Sequence, residues 1–367
     1  MNPYIEKLVE DNGALTFILN GVNVSLANAI RRTILSDIKT VVFKTTPYEE
    51  NKSNILVNTT RFNNEIIKQR LSCIPIHIND LDMPIQNYNV EVNVENTTDT
   101  IIYVTTEHFK IKNKTTNEYL SEKDVHNIFP ANELTGYYID FVRLRPRISD
   151  EIPGEKIHLT CEFSIDCAKT DGSFNVVSTC SYQYTTNPEQ MEVELDKKKQ
   201  HWKDKGLDKN EIIFETENWK LLEGKRIVKK DSFDFTIETI GVFENRELVK
   251  KACSILISKL EKLDTIVDTD EIEINPSDNT MKNSFDIILE NEDYTIGKVI
   301  EFILYAKFFE DLKTLSYCGF KKMHPHDTDS IIRIAFRETT EKATVKQNLK
   351  TCLSDAVTVY KNIMKKF

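Results

Sequence analysis

At 367 residues the chain is long enough for two or three domains, each with its own core. Forty per cent apolar and 29 per cent charged residues describe an ordinary globular composition, and a formal net charge of −10 argues against a chain that grips nucleic acid by itself. No run of eighteen or more apolar residues is present, and the first residues lack the basic and apolar regions of a signal peptide, so an intracellular protein without a membrane span is expected.

The first predicted element is a strand around 14–19, followed by a polar turn in which Ser25 is placed to cap a helix running to about Ile38. Leu26, Ala27, Ile30, Ile34 and Ile38 stripe that helix at helical spacing. From about 47 to 225 the texture changes. Asn63 or Asn64 caps a short helix carrying Ile66, Ile67, Arg70 and Leu71, which Pro75 ends. Val90/Val92/Val94, Ile101–Val104, Ile157–Ile165 and Val176–Tyr184 alternate as strands of an antiparallel sheet with one buried face. Glu189–Lys209 is charge-dense and reads as a solvated helix or loop.

Strand–helix texture returns at Phe233–Ile240. A helix to about Leu263 then places Leu248, Val249, Ala252, Ile255, Leu256 and Leu260 on one side. Residues 264–283, with six acids and one lysine, read as an acidic linker. A strand over 284–290, a helix over 295–310, strands near 314–320 and 330–337 and a terminal helix follow. The last of these carries a stripe of Val345, Leu349, Leu353, Ala356, Tyr360 and Ile363 that needs a partner.

The most informative pattern is a repeat. Leu15–Leu35 and Phe285–Leu304, 270 positions apart, each run from an apolar strand through a polar turn into an apolar-striped helix. Ile18, Leu19 and Ile30 meet identical residues in the second copy, and Ser25 meets Thr295. The repeat predicts two half-modules that bury their faces on each other. Leu26, Ala27, Ile30 and Ile34 of the first are set against Ile296, Gly297, Ile300 and Leu304 of the second, with Leu349 and Leu353 from the terminal helix. The small residues Ala27 and Gly297 would let the two helices approach closely.

Six motifs in order resemble one family. Ser25-Leu-Ala-Asn-Ala-Ile-Arg-Arg-Thr-Ile-Leu35 resembles the first helix of the assembly-platform subunits of multisubunit RNA polymerases: the bacterial alpha subunit, the archaeal D subunit and the eukaryotic third subunit. Glu65-Ile-Ile-Lys-Gln-Arg-Leu-Ser-Cys-Ile-Pro75 is similar to that family's short helix ending in Ile-Pro, Ser173–Tyr182 to its late insert motif, and Phe235–Gly241 to its returning strand. Glu292-Asp-Tyr-Thr-Ile-Gly297 and Cys318-Gly-Phe-Lys-Lys-Met-His-Pro325 resemble the smaller partner, the archaeal L or eukaryotic eleventh subunit.

The resemblance implies an α+β fold. A dimerisation domain (1–46 with 226–263) pairs with an L-like one (284–367) as an intramolecular pseudo-heterodimer, and a mostly β insert occupies 47–225. It implies a non-catalytic scaffold on which the two large catalytic subunits and small polymerase subunits assemble. DNA and RNA would be met only through the complex, and no homodimer is expected. No cofactor is implied on this chain, Mg²⁺ being held by the catalytic subunit. Fusions of this kind look like those of large DNA viruses, implying host cytoplasm (viral factory) and virion, with the nucleus as the alternative. Three departures stand out: the family's cysteine-rich insert has no counterpart, Val176 replaces a proline and Tyr294 a histidine.

No nucleophile–base pair, phosphate-binding glycine loop or acidic metal triad is present, so no catalytic residue is expected. Seven scattered cysteines without a Cys-x-x-Cys pair suggest reduced thiols and no metal. Arg31 and Arg32, with Phe174 and Ser178 of the insert motif, are the residues the resemblance assigns to large-subunit docking. By pattern alone the arginines are an ordinary solvated basic pair. The second copy has Glu301 and Phe302 at their places, so the two halves are expected to present different faces. Glu292 and Asp293 read as acids at a helix start, and His324-Pro325-His326 as a turn. The alternative function is a free-standing regulatory protein that reuses the fold and binds DNA itself.

Overall fold

Residues 1–149, 151–278 and 280–367 are described by the structure, a computed structural model. The chain divides into one unit of residues 1–34, 179–238 and 245–367 and another of 35–178 and 239–244.

The first unit opens with a strand that the sequence reading lacks. β1 (Tyr4–Asp11) and β2 (Ala14–Asn20) form a hairpin. Its two-residue turn, Asn12-Gly13, has φ of 50° and 79°, the left-handed pair that suits the strand twist. α1 (Val24–Ser36) follows, two residues shorter than expected. β11 (Val177–Thr186), α4 (Pro188–Asp204), α5 (Lys209–Leu221) and β12 (Val228–Thr239) then lead into α6 (Asn245–Asp268). The strands close one sheet in the order β1-β2-β12-β11. In-register pairs such as Phe17 with Phe235, whose rings stack 5.0 Å apart, bury its inner face.

The same plan follows again in β13 (Ile274–Pro276), β14 (Ser284–Leu289), α7 (Tyr294–Leu304), β15 (Leu315–Lys321), β16 (Ser330–Phe336) and α8 (Lys342–Met364). This sheet runs β13-β14-β16-β15. Each sheet thus has a short helix after its second strand and a long helix after its third, the fourth strand coming between them in sequence. A π-helical segment, Tyr305–Asp311, extends α7. The acidic linker is shorter than expected: α6 continues through Asp268, and Ile274–Pro276 pairs with β14. Buried Leu263 and Val267 carry the apolar stripe of α6 past its expected end.

The second unit holds β3 (Lys39–Val42), β4 (Ser53–Asn58), α2 (Asn64–Ser72), β5 (Tyr88–Glu95), β6 (Ile102–Thr105), β7 (Lys110–Asn113), α3 (Glu122–Ile128), β8 (Asp140–Leu144), β9 (Lys156–Glu162) and β10 (Ser164–Cys167). A four-stranded sheet, β4-β9-β5-β7, and the pairs β6-β8 and β10-β3 enclose a core that includes Phe43, Phe109, Phe129 and Phe141. Asn63 caps α2 by accepting from the Ile66 amide at 2.9 Å. Arg70 ties that helix to β8, donating to the carbonyls of Phe141 at 2.6 Å and Asp140 at 2.8 Å. This unit ends at residue 178, short of the expected 225, because β11 pairs with β12 and carries the α4–α5 hairpin with it. Among the described residues no helix is long and apolar enough to cross a membrane.

Candidate interaction surface

The helix starts of the two copies are built alike, two residues earlier than the sequence reading placed them. Asn23 Oδ1 accepts from the Ser25 amide at 2.9 Å, and Asp293 Oδ1 accepts from the Thr295 amide at 2.8 Å. Asn and Asp hold a carbonyl-type oxygen at the distance a first-turn N–H requires, so they take the cap while Ser25 and Thr295 enter the helix. The acidic residue before α7 therefore satisfies the helix start.

Asp293 has a second duty. Its Oδ2 accepts from Arg32 Nη2 at 3.0 Å, while Arg32 Nε donates to Thr295 Oγ1 at 2.8 Å. Arg32 is thereby anchored across 261 positions to the start of the other half's helix. Pattern alone gives no sign of this link: a guanidinium with two donors suits a carboxylate and hydroxyl presented together, and the side chain is still 39% exposed. Arg31 points elsewhere. Its Nε donates to Asn28 Oδ1 at 2.9 Å on its own helix, and its charge acts on Cys180 and Tyr182 of β11. Burial pushes the Tyr182 hydroxyl up, and the Arg31 guanidinium partly offsets that.

All ten residues expected at the pairing surface are buried: Leu26, Ala27, Ile30, Ile34, Ile296, Gly297, Ile300, Leu304, Leu349 and Leu353. The seam itself runs through the long helices. α8 packs on α6 and α7. The buried Tyr360 hydroxyl of α8 donates to the Leu26 carbonyl of α1 at 3.4 Å. Lys350 with Asp268 and Lys361 with Glu261, the latter at 3.1 Å, line the exposed edge of the α6–α8 pair and show the helices to be antiparallel. These solvated pairs set register more than stability.

Gly297 does not serve close helix approach. The Phe320 ring of β15 lies where a Cβ would go, so the glycine admits a ring from its own sheet. Glu301, at the place of Arg31, turns inward as well: it accepts from the Phe320 amide at 3.2 Å and pairs with Lys298 at 2.5 Å. Of the insert-motif pair, Ser178 is exposed, whereas Phe174 is buried at 3% exposure and so offers little surface to a partner. Short apolar-rich motifs look the same whether an aromatic faces in or out. The sequence reading missed Ile213, Phe214 and Leu221 of α5, which are exposed at 59%, 67% and 64%. The surrounding charge hid this apolar patch.

Among the described residues no group of three or more His, Cys, Asp or Glu side chains comes together as a metal site. The cysteines are unpaired, and burial pushes the thiols of Cys161, Cys180 and Cys253 up to about 12, leaving them protonated. His324 and His326 form a turn, with the His326 amide donating to His324 Nδ1 at 3.2 Å.

A four-stranded sheet whose second and third strands lead into a short and a long helix, the long helix serving as a pairing seam, defines a dimerisation domain. The family described as the RNA polymerase Rpb3/Rpb11 dimerisation domain matches residues 16–260, and the chain belongs to it. Relatives include the DNA-directed RNA polymerases I and III subunit rpac1 of Dictyostelium discoideum, 25% identical over 290 residues that cover 70% of this chain and 79% of that protein. The Pyrococcus horikoshii DNA-directed RNA polymerase subunit Rpo3 is 26% identical over 284 residues, 70% of this chain and 95% of that protein. Human RPAC1, a subunit of RNA polymerases I and III, is 22% identical over 303 residues, 70% of this chain and 83% of that protein. The family match ends within α6, before the second half-module begins.

Proposed function

We propose that the chain is a non-catalytic assembly subunit of a DNA-directed RNA polymerase, in which the third-subunit-type and eleventh-subunit-type modules are joined in one polypeptide. The observation that carries this reading is the repeated sheet order, β1-β2-β12-β11 and β13-β14-β16-β15, with the two long helices packed together. The pair forms an intramolecular pseudo-heterodimer, and residues 35–178 are the insert that interrupts its first half in sequence. Burying apolar helix faces drives the pairing at roughly 25 cal/mol per Å². Covalent joining fixes one-to-one stoichiometry and holds the partner at an effective concentration of about millimolar. The two large catalytic subunits dock on this chain, with Arg31 and Ser178 each among the contact residues, and they supply the Mg²⁺ chemistry. The setting is intracellular, and the fused form suits a large DNA virus.

The test is mass spectrometry of what co-purifies with the tagged chain from its native cell. The two largest polymerase subunits are expected in equal amounts with it; recovery of the chain alone, or a salt-dependent gel shift by the purified chain, overturns the reading. The arginines separate docking from folding. Arg31→Ala is expected to reduce recovery of a large subunit with an unchanged melting temperature. Arg32→Ala, which breaks the link to Asp293 and Thr295, is expected to cost about 1 kcal/mol of stability, discounted for its partial exposure.

A further inference from the structure

A cavity of about 450 Å³ opens at the far end of the second half-module, between the π-helical segment, the end of β16 and the start of α8. That is the size range of small-molecule sites. Its apolar wall comes from Phe308, Leu312 and Phe336. The π-helical segment Tyr305–Asp311, a geometry that recurs at functional sites, carries Phe308 into that wall.

The polar side of the cavity carries hydrogen-bonding groups without protein partners. Asn348 of α8 lines it with only 9% of its surface exposed, and its carboxamide makes no hydrogen bond. A carboxamide on a largely buried side chain at a cavity wall holds two donors and an acceptor ready for a ligand. Thr344, one turn earlier on the same face, lines the cavity as well. α8 also begins without a side-chain cap, since Glu341 at the cap position accepts nothing from the first turn. The positive end of a 23-residue helix is therefore open beside the cavity.

Charge at the mouth favours an anion. Lys313 and Arg337 both line it, and neither pairs with a carboxylate among the described residues; Arg337 Nε donates only to the Leu315 carbonyl, at 3.3 Å. Glu338 is the one acidic side chain in the lining. A carboxylate matches this set better than a phosphate. Its two oxygens are matched by one amide and one or two cations, whereas the Phe308, Leu312 and Phe336 wall offers no donors for the additional oxygens of a phosphate.

We propose that this cavity binds a small apolar carboxylate, an aliphatic group joined to a carboxyl, with the carboxylate between Asn348, Lys313 and Arg337 and the aliphatic group against Phe308, Leu312 and Phe336. That chemistry belongs both to a free branched-chain acid and to the C-terminus of a peptide ending in an aliphatic residue. The inference does not depend on the polymerase reading.

Heteronuclear NMR titration of the full chain tests it, with 4-methylpentanoate, N-acetyl-leucine and N-acetyl-leucinamide as probes. At least one carboxylate is expected to shift the Asn348 side-chain amide signals saturably with a Kd at or below about 1 mM, and the leucinamide to bind at least about tenfold more weakly. Tighter binding of 4-methylpentanoate assigns a free acid as the source, and tighter binding of N-acetyl-leucine assigns a peptide terminus. Asn348→Ala is expected to raise the Kd about tenfold. Lys313→Gln, at an exposed position where folding is not at stake, is expected to weaken the carboxylate and leave the leucinamide unchanged. Absence of saturation, equal binding of acid and amide, or an unaltered Kd in Lys313→Gln overturns the proposal.

Discussion

The two half-modules share a strand order and a helix plan, yet the residues at matching places do different work. On α1, Arg32 reaches out to the other half and holds the cap of α7. On α7, Glu301 folds back to the Phe320 amide of its own sheet, and Gly297 makes room for the Phe320 ring. The first half thus uses its helix surface for the partner, and the second uses the same surface to tighten itself. Common geometry comes from the apolar spacing. The asymmetry comes from a handful of polar and small residues.

The largest test of this comparison lies at the α6–α8 seam. Leu256 on α6 is fully buried, and Leu353 on α8 is 1% exposed. Leu256→Ala and Leu353→Ala are each expected to cost about 2–5 kcal/mol. Urea unfolding followed by the helical circular-dichroism signal checks this. If the halves form one cooperative body, both substitutions shift the same transition. A variant that displaces only part of the helical signal would show instead that the halves unfold independently.

The long helices and most strands of the pairing unit were legible in the sequence because an apolar stripe and a period-two alternation survive without knowledge of the partner. Val345, Leu349, Leu353, Ala356, Tyr360 and Ile363 are all buried as the stripe required. β1 escaped notice although Asn12-Gly13 is a strong hairpin signal. A bulge between Glu6 and Val9, with Lys7 at φ 49°, breaks its alternation, and most of its residues are exposed. The placement of single side chains was less legible. Nothing in the spacing of Arg31 and Arg32 says which one meets an acid 261 positions away. Nor does the sequence around Phe174 say whether its ring faces in or out; it is buried.

Gly297 sharpens the comparison at middle scale. Gly297→Ala is expected to cost about 1–3 kcal/mol, since the added methyl group falls on ring carbons of Phe320 and the sheet resists the shift. A second substitution, Phe320→Ala, removes the obstacle, so the double variant is expected to be more stable than the sum of the two single changes implies. Additive losses in thermal unfolding would mean that the ring moves freely and that the glycine has another purpose.

The smallest expected effect distinguishes the two sheets by pH. At matching places the first sheet sets Thr16 opposite Thr236, and the second sets Asp286 opposite Arg333. Arg333 donates from Nε and Nη2 to the two carboxylate oxygens, each at 2.6 Å, and holds the Asp286 carboxyl below its ordinary value, while burial opposes that shift. A carboxyl whose folded value lies below its unfolded value of about 4 stabilises fully above that unfolded value. The contribution falls away as pH drops through the folded value. Hydrogen-exchange protection in β14 and β16 is therefore expected to decline at acid pH before that in β2 and β12, where the matching pair carries no charge. Asp286→Asn is expected to lower protection of β14 and β16 at neutral pH and to flatten this pH dependence. Equal acid sensitivity of both sheets, or an unchanged profile in Asp286→Asn, would place the acid-labile contact outside this strand pair.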